Sequence, residues 1–447
     1  MATRLLPLAL AARARLVKAV ARKRESRGAV RKKPLHRGAV NRKRNNLQNL
    51  IIMVDFNYNA PTEVAFGANS EQQIATLVKK YGGSKVLLHY GGQSAERSGL
   101  LGSIRTMLVD AGIEYVELGG VVPNPQLSKV REGISLCREN GIDFLLAVGG
   151  GSVIDSAKAI AYGVPYDGDV WDFFAGKAKA VSALPIGVVL TIPAAGSEMS
   201  DASVITNSDG NYKRGYSNEL AHPRFAVMNP ERTYTLPPYQ TACGAVDMMM
   251  HTMERYFSHD DDMTLTDNIA ETILRTVMDS AVEVMRTPDN YRHRAQIMWA
   301  GSIAHNGLTG CGTSGDWATH QLEHELSAMF DVAHGAGLAA IWGSWARYVC
   351  KDNIMRFARF AVNVMGVPND FKNPEHLAQR GIEAMENFYR SIGMPTNIKE
   401  LLNRKLTDEE IKEMARKCSL DHTITVGQFR KLGYDDMAAI YTMANAD

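Results

Sequence analysis

The sequence predicts an α/β domain followed by an all-α domain, and three features of the chain predict it. From residue 70 to 230, helix-like stretches alternate with short apolar runs, the pattern of a parallel sheet with helices on its faces. Two of those runs end in glycine-rich turns, where ligands of open α/β sheets bind. After Pro230 the strand signals fade and apolar residues recur at spacings of three and four. The expected boundaries are a basic extension at 1–52, the α/β domain at 53–230 and the helical domain at 231–447.

In chain order, the pattern predicts a helix near 70–81, a strand at KVLLHYG, a helix near 95–111, a strand at IEYVELG and a helix near 126–140. A strand at FLLAVGG, a helix near 152–162 and a strand at IGVVLTIP follow, and FAVMNP (225–230) reads as one more strand. In the second half, LTDNIAETILRTVMDSAVEVMR and IMRFARFAVNVMG carry the helical spacing. TPDN, GLTGCGTSGD and VPNDFKNP supply the Gly, Pro and Asn that end helices.

The net charge of +2 conceals an asymmetry. Residues 1–52 hold 15 Lys or Arg and one acid, Glu25, a balance of +14 that leaves −12 on residues 53–447. An acidic body argues against nucleic-acid binding, which needs a basic footprint on the folded domain. The extension lacks aromatic residues for base stacking. It reads either as a tail or over-extended start, with Met53 as the functional beginning, or as an Arg-rich organelle transit segment. A cytoplasmic enzyme is expected on the first reading and one of an organelle matrix on the second. The five cysteines contain no CxxC, so neither a disulfide framework nor a thiolate zinc knuckle is implied. No apolar run approaches the roughly 20 residues of a membrane span.

VGGGSVIDSAKA (148–159) follows an apolar strand and opens a helix, with Ser152 placed to cap it. Gly149, Gly150 and Gly151 would let a phosphate approach the backbone, and the helix start would present free N–H groups to it. HYGGQSAERSG (89–99) offers Gly91, Gly92 and Ser94 and no carboxylate from 89 to 95. An acid there would pair with a ribose diol and repel a 2′-phosphate, so its absence leaves room for NADP(H) over NAD(H). In TIPAAGSEMSDAS, Thr191, Ser197 and Ser200 are candidates for a cofactor groove, while AAGSEM is no GxSxG nucleophile elbow. A turn of this kind is not GxGxxG and is often only a tight connection, so the turns by themselves leave phosphate binding open; a Rossmann-like domain is the expectation if they take a phosphate.

Asp247 and His251 lie four residues apart and so share one face of a helix. His320 and His324 repeat that spacing, and His334 begins a Gly-flanked segment. A carboxylate with imidazoles and no thiolate suits Fe(II) or Zn(II) rather than magnesium or calcium. His36, His259, His293, His376 and His422 read as surface residues.

At these residues the sequence resembles the iron-containing, or group III, alcohol dehydrogenases of the NADP-dependent butanol dehydrogenase type. The matching stretches are FNYNAPTEVAFG, PNPQ, FLLAVGGGSVIDSAKAIA, LTIPAAGSEMS, YTLPPYQTACGAVDMMMHTMERY, DWATHQLEHELSAMFDVAHGAGLA and the turn at Met394-Pro395-Thr396. The resemblance implies an N-terminal dinucleotide-binding domain and a C-terminal helical metal-binding domain, the iron alcohol dehydrogenase or dehydroquinate-synthase-like fold, with the active site between them and a homodimer as the assembly. It places metal ligands at Asp247, His251, His320 and His334 and an additional active-site histidine at His324. Nicotinamide cofactor contacts fall on Gly91, Gly92, Ser94, Asn124, Gly149, Gly150, Gly151, Ser152, Thr191 and Lys213. Relatives of this type often carry threonine where this chain has Ala195, which removes a hydroxyl from the cofactor side. The implied reaction exchanges hydride between NADP(H) and a small alcohol or aldehyde such as butanol or butanal. The ion acts as Lewis acid, and His324 relays a proton with a near-neutral pKa.

Other readings use some of the same residues. A glycerol dehydrogenase or a dehydroquinate-synthase-like lyase would share the fold, and a dinucleotide-binding module without catalysis would need only the turns. His320-Gln321-Leu322-Glu323-His324 also reads H-x-x-E-H, a zinc peptidase pattern in which both histidines bind metal and Glu323 activates water. A dehydrogenase, by contrast, would tolerate change at Glu323.

Overall fold

The structure, a computed structural model, describes residues 54–260 and 263–446. The basic extension lies outside the described residues. Strands β1 (Glu63–Phe66), β2 (Lys85–Tyr90), β3 (Glu114–Leu118), β4 (Phe144–Gly150) and β5 (Ile186–Ile192) are followed by β6 (Ala202–Asn207), β7 (Tyr212–Ser217) and β8 (Phe225–Met228). Six of them form one parallel sheet in the order β1-β8-β5-β4-β2-β3, and β6 and β7 pair as a separate antiparallel hairpin. Helices α1 (Ile74–Lys80), α2 (Leu100–Asp110), α3 (Leu127–Asn140) and α4 (Gly151–Gly163) connect the sheet strands. Strand β4 is buried along its whole length, which is why FLLAVGG is apolar throughout rather than alternating.

The strand order fixes where a ligand crevice opens. The chain leaves β2 toward the β3 edge and leaves β4 in the opposite direction, toward β5, while β2 and β4 are neighbours with Tyr90 opposite Val148. A reversal of this kind leaves a gap above the carboxyl ends of the two strands. The turns at 91–94 and 149–152 stand there.

Three local expectations differ from the structure. The helix expected over 95–111 is divided into a turn at Ser94–Arg97 and α2, because Gly99 takes a left-handed φ of 75° between them. Ser152 does not cap α4; the cap position is Gly150, and Ser152 sits within the first turn. Ser197 and Ser200 do not line a groove. Both are buried and hold Lys158 of α4, whose Nζ donates to Ser197 O at 2.7 Å, Ser200 O at 2.8 Å and Ala202 O at 2.7 Å. The hairpin β6–β7 was not anticipated, although Ser208-Asp209-Gly210-Asn211 after the β-branched run Val204-Ile205-Thr206 is a turn signal.

After Pro237 the chain is helical: α5 (Pro238–Tyr256), α6 (Thr264–Arg286), α7 (Tyr291–His305), α8 (Ala318–Phe330), α9 (His334–Val349), α10 (Ile354–Asn363), α11 (Pro374–Ser391), α12 (Asp408–Cys418) and α13 (Tyr434–Ala444). The breaks between α6 and α7, α7 and α8, and α10 and α11 fall at the three punctuated segments. Helix α5 is buried on every side from Gly244 to Tyr256 and forms the axis of this domain. The first turn of α9 meets it so closely that a Cβ at Gly335 would lie 2.1 Å from Cys243 O, so only glycine lets His334 approach Asp247. No helix among the described residues is long and apolar enough to cross a membrane.

Burial brings the Lys158 ammonium down to about 8, so it remains charged at neutral pH among the loop carbonyls and near Asp155. Replacing Lys158 with Met should leave these acceptors unmatched and cost about 3 kcal/mol or more. Chemical unfolding of the variant beside the parent measures it; an unchanged midpoint would show that the loop is held elsewhere.

Candidate metal centre

Helix α5 presents Asp247, His251 and Glu254 at spacings of four and three, all toward α8. The N-terminal turn of α8 supplies His320, and the first residue of α9 supplies His334. Around Asp247 Oδ1 stand His251 Nδ1 at 3.4 Å, His320 Nε2 at 3.8 Å and His334 Nε2 at 3.8 Å. Asp247 Oδ1, His251 Nδ1 and His320 Nε2 are buried and have no hydrogen-bond partner. Each such orphan costs about 1–3 kcal/mol. Ligand atoms bound at about 2.0–2.2 Å in a tetrahedral shell stand about 3.3–3.6 Å apart. The observed spacing and the borderline N/O donor set therefore fit a first-row divalent ion, which would satisfy every orphan at once. His334 is the most exposed of the four, its side chain 26% accessible, so the shell opens on its side.

Carboxylates behind the ring orient it. Glu254 Oε1 accepts from both the backbone N–H and Nδ1 of His320, each at 2.9 Å, so one oxygen caps the start of α8 and aims the imidazole. Burial opposes protonation of His320, but the neighbouring carboxylates of Asp247 and Glu254 outweigh it and lift the group to about 9. Glu323 plays the matching part for His334, whose Nδ1 donates to Glu323 Oε2. Although burial works against its charge, Glu323 is held well below the usual carboxylate range by His334 and Lys213. Lys213 Nζ lies 3.4 Å from Glu323 Oε2 and 3.3 Å from His334 Nδ1.

The structure thus separates the two histidines of H-x-x-E-H. His320 joins Asp247 and His251, whereas His324 clusters with Glu323 and His334. Glu323 is fully buried and occupied by His334, Lys213 and Ser327, which leaves it no part as a water-activating base. Nor does it stand idle in a dehydrogenase: the expected tolerance at this position gives way to a role behind His334. His324, with its ring centre 5.7 Å from that of His334, makes no hydrogen bond to a described residue. Burial, with the charges of Lys213 and His334, holds it well below the ordinary imidazole range rather than near neutrality.

Three more residues at the centre went unread in the sequence. Glu254 had a signal, since it continues the face of Asp247 and His251 by three residues. His305, at the end of α7, had none. Its ring centre lies 3.9 Å from that of His251, and its Nδ1 donates to Ala195 O at 2.7 Å, tying α7 to the loop after β5. Arg255 stacks on Trp317 at 4.6 Å and donates to His251 O at 2.8 Å.

The residues expected to contact a cofactor fall in two groups. Gly91, Gly92 and Ser94 follow β2; Gly149, Gly150, Gly151 and Ser152 follow β4; and Thr191 lies near the carboxyl end of β5, so all eight border the crevice. The glycine triplet is also demanded by packing, because a Cβ at Gly149 would stand 2.5 Å from Val153 Cγ2 and one at Gly150 2.9 Å from Ile192 Cβ. At Gly92 the space is open. Asn124 and Lys213 lie instead against the helical domain, where Asn124 Nδ2 donates to Asp331 Oδ1 at 2.9 Å. His259, His376 and His422 are exposed and His293 half-buried, while His36 lies outside the described residues.

A parallel sheet with a glycine-lined crevice, joined to a helical domain that carries one carboxylate and three imidazoles, defines a two-domain oxidoreductase. The family model for iron-containing alcohol dehydrogenases matches residues 61–230, and that for the C-terminal part of the Fe-containing alcohol dehydrogenase family matches residues 241–445. The chain belongs to the iron-containing alcohol dehydrogenase family and is an alcohol dehydrogenase or aldehyde reductase. It is 42% identical over 388 residues to the probable NADH-dependent butanol dehydrogenase 2 of Bacillus subtilis strain 168, covering 87% of this chain and 99% of that one. Identity is 34% to the NADPH-dependent aldehyde reductase YqhD of Escherichia coli K12, over 88% of this chain and all of that one. The crystal structure of NADH-dependent butanol dehydrogenase A from Thermotoga maritima superposes with a TM-score of 0.84 at 37% identity, covering 88% of this chain and 99% of that one.

Glu254→Gln keeps the shape of the side chain but weakens its hold on His320, and metal affinity should fall by about 10- to 100-fold. Competition with a chromophoric chelator reads this directly; parental affinity would show that His320 is oriented by other means.

Proposed function

We propose that the protein reduces small aliphatic aldehydes such as butanal, and oxidises the corresponding alcohols, with NADP(H) and an Fe(II) or Zn(II) ion held by Asp247, His251, His320 and His334. The observation that carries this reading is the set of orphaned, buried atoms converging on Asp247 Oδ1 beside a Rossmann-type crevice. When bound, the ion supplies Lewis acidity toward the carbonyl oxygen and the nicotinamide supplies the hydride. Asp247 and the three imidazoles hold the ion, with Glu254 and Glu323 keeping Nδ1–H of His320 and His334 outward so that the Nε2 lone pairs face in. The free N–H groups at the start of α4 receive the dinucleotide diphosphate. His324, one turn from His320, passes a proton between solvent and the substrate oxygen as a neutral imidazole.

NADPH is favoured over NADH because no carboxylate follows β2 before Glu96, and Glu96 is engaged by Arg105 at 2.8 Å. The relatives' names divide between the two cofactors, so the preference rests on this turn alone. Open space at Gly92 accepts a side chain, and Gly92→Asp should move the preference toward NADH. Ratios of kcat/KM for the two cofactors test this, and a parent enzyme that already prefers NADH would contradict it. His324→Ala should retain the ion and lose turnover by about 100-fold, the scale of lost proton transfer. Metal analysis and steady-state rates of the same preparation decide; loss of the ion would make His324 a ligand instead.

A further inference from the structure

In the reaction as described, the glutamate of the H-x-x-E-H segment only orients the His334 ring, yet it is the most enclosed charge near the centre. Glu323 is fully buried, and three donors converge on it: Ser327 Oγ on Oε1, and His334 Nδ1 and Lys213 Nζ on Oε2. These donors come from different places. His334 begins α9 and is a proposed metal ligand, whereas Lys213 comes from β7, part of the hairpin that extends from the α/β domain. The next residue repeats the connection, since Arg214 Nη1 donates to Glu325 Oε1 at 2.8 Å. The hairpin is therefore fastened to the metal-bearing helix by two adjacent ion pairs. The second of them touches neither the ligand ring nor the crevice residues named above.

We infer that Glu323 is a coupling residue: by sharing one oxygen between His334 and Lys213, it makes metal loading and nucleotide binding favour each other. This rests on the proposed function, in which His334 holds the ion, and on the cofactor contact that the family resemblance implies at Lys213, whose ammonium stands 3.3 Å from His334 on the more open side of the shell. With no ion on His334, Glu323 is the nearest counter-charge to the Lys213 ammonium and holds it against α8. An ion on His334 Nε2 polarises the ring, strengthens the Nδ1–H to Glu323 bond and adds positive charge close to Lys213, which is only 3.3 Å from that ring. The carboxylate then serves the imidazole, and the ammonium is released toward an incoming anionic dinucleotide. Since coupling of two binding events is reciprocal, the nucleotide must tighten metal binding by the same factor.

Calorimetric titration of NADPH into metal-free and zinc-loaded protein, with chelator competition for zinc in the presence and absence of NADPH, measures both sides of the cycle. We expect zinc to tighten NADPH binding by about 10-fold in the parent, and NADPH to tighten zinc binding equally. In Glu323→Gln the factor should fall close to one, and the metal-free variant should bind NADPH no more weakly than the metal-free parent, because Lys213 is no longer held back. Lys213→Met, which leaves Glu323 to His334, should also lose the coupling while keeping zinc affinity measured without nucleotide. An undiminished factor in both variants, or a parent that binds zinc and NADPH independently, overturns the inference and leaves the proposed function standing. A parent that binds neither overturns both.

Discussion

A carboxylate buried in the axis of a helical domain needs positive charge, and the arrangement around Asp247 answers that need. Helix α5 is buried from Gly244 to Tyr256, so the Asp247 side chain is nearly cut off from water. A neutral partner would have sufficed to satisfy one oxygen. Three imidazole nitrogens at 3.4–3.8 Å instead leave a gap of ion size and several atoms without partners. The positions of α8 and α9 follow from this constraint. Glu254 fixes the start of α8 through the backbone and ring of His320, and the absence of a side chain at Gly335 lets α9 begin against α5. The cost of gathering ionisable groups in an apolar domain is tolerable only if they neutralise one another around a cation.

Near the centre the two domains are joined by hydrogen bonds and ion pairs, and apolar contacts such as Met298 against the sheet core and Phe66 against Trp299 join them elsewhere. Lys213 and Arg214 of the hairpin reach Glu323 and Glu325, Asn124 reaches Asp331, and His305 reaches Ala195 O. Each connection ends within a few residues of a proposed ligand or of the glycine-lined crevice. Small shifts of one domain are thereby felt at the metal, an arrangement suited to chemistry that joins an ion-held substrate to a cofactor lying across the sheet.

Much of this was legible in the sequence because periodicity reports burial. The strand FLLAVGG is apolar throughout because it is central, and the spacing in LTDNIAETILRTVMDSAVEVMR follows the buried side of α6. Asp247, His251, His320 and His324 could be paired because a helix turns in about four residues. What the spacing did not carry was contact between distant segments. Glu323 is bound by a lysine 110 positions away, and His305 reaches a carbonyl at the same separation, so neither role leaves a local trace. Ser197 and Ser200 read as groove residues for the same reason: the buried lysine that claims them lies about 40 positions earlier, on α4. The hairpin β6–β7 was overlooked because β7 is polar and partly exposed and resembles a loop until the turn at 208–211 is weighed.

The central claim is that one ion is bound by a single carboxylate and three imidazoles. X-ray absorption at the metal edge of the iron- or zinc-loaded protein tests it most directly. The account predicts a first shell of nitrogen and oxygen alone at about 2.0–2.2 Å, with outer scattering that requires three imidazole rings. A sulfur scatterer near 2.3 Å, or a shell satisfied by one ring and additional water, would contradict it.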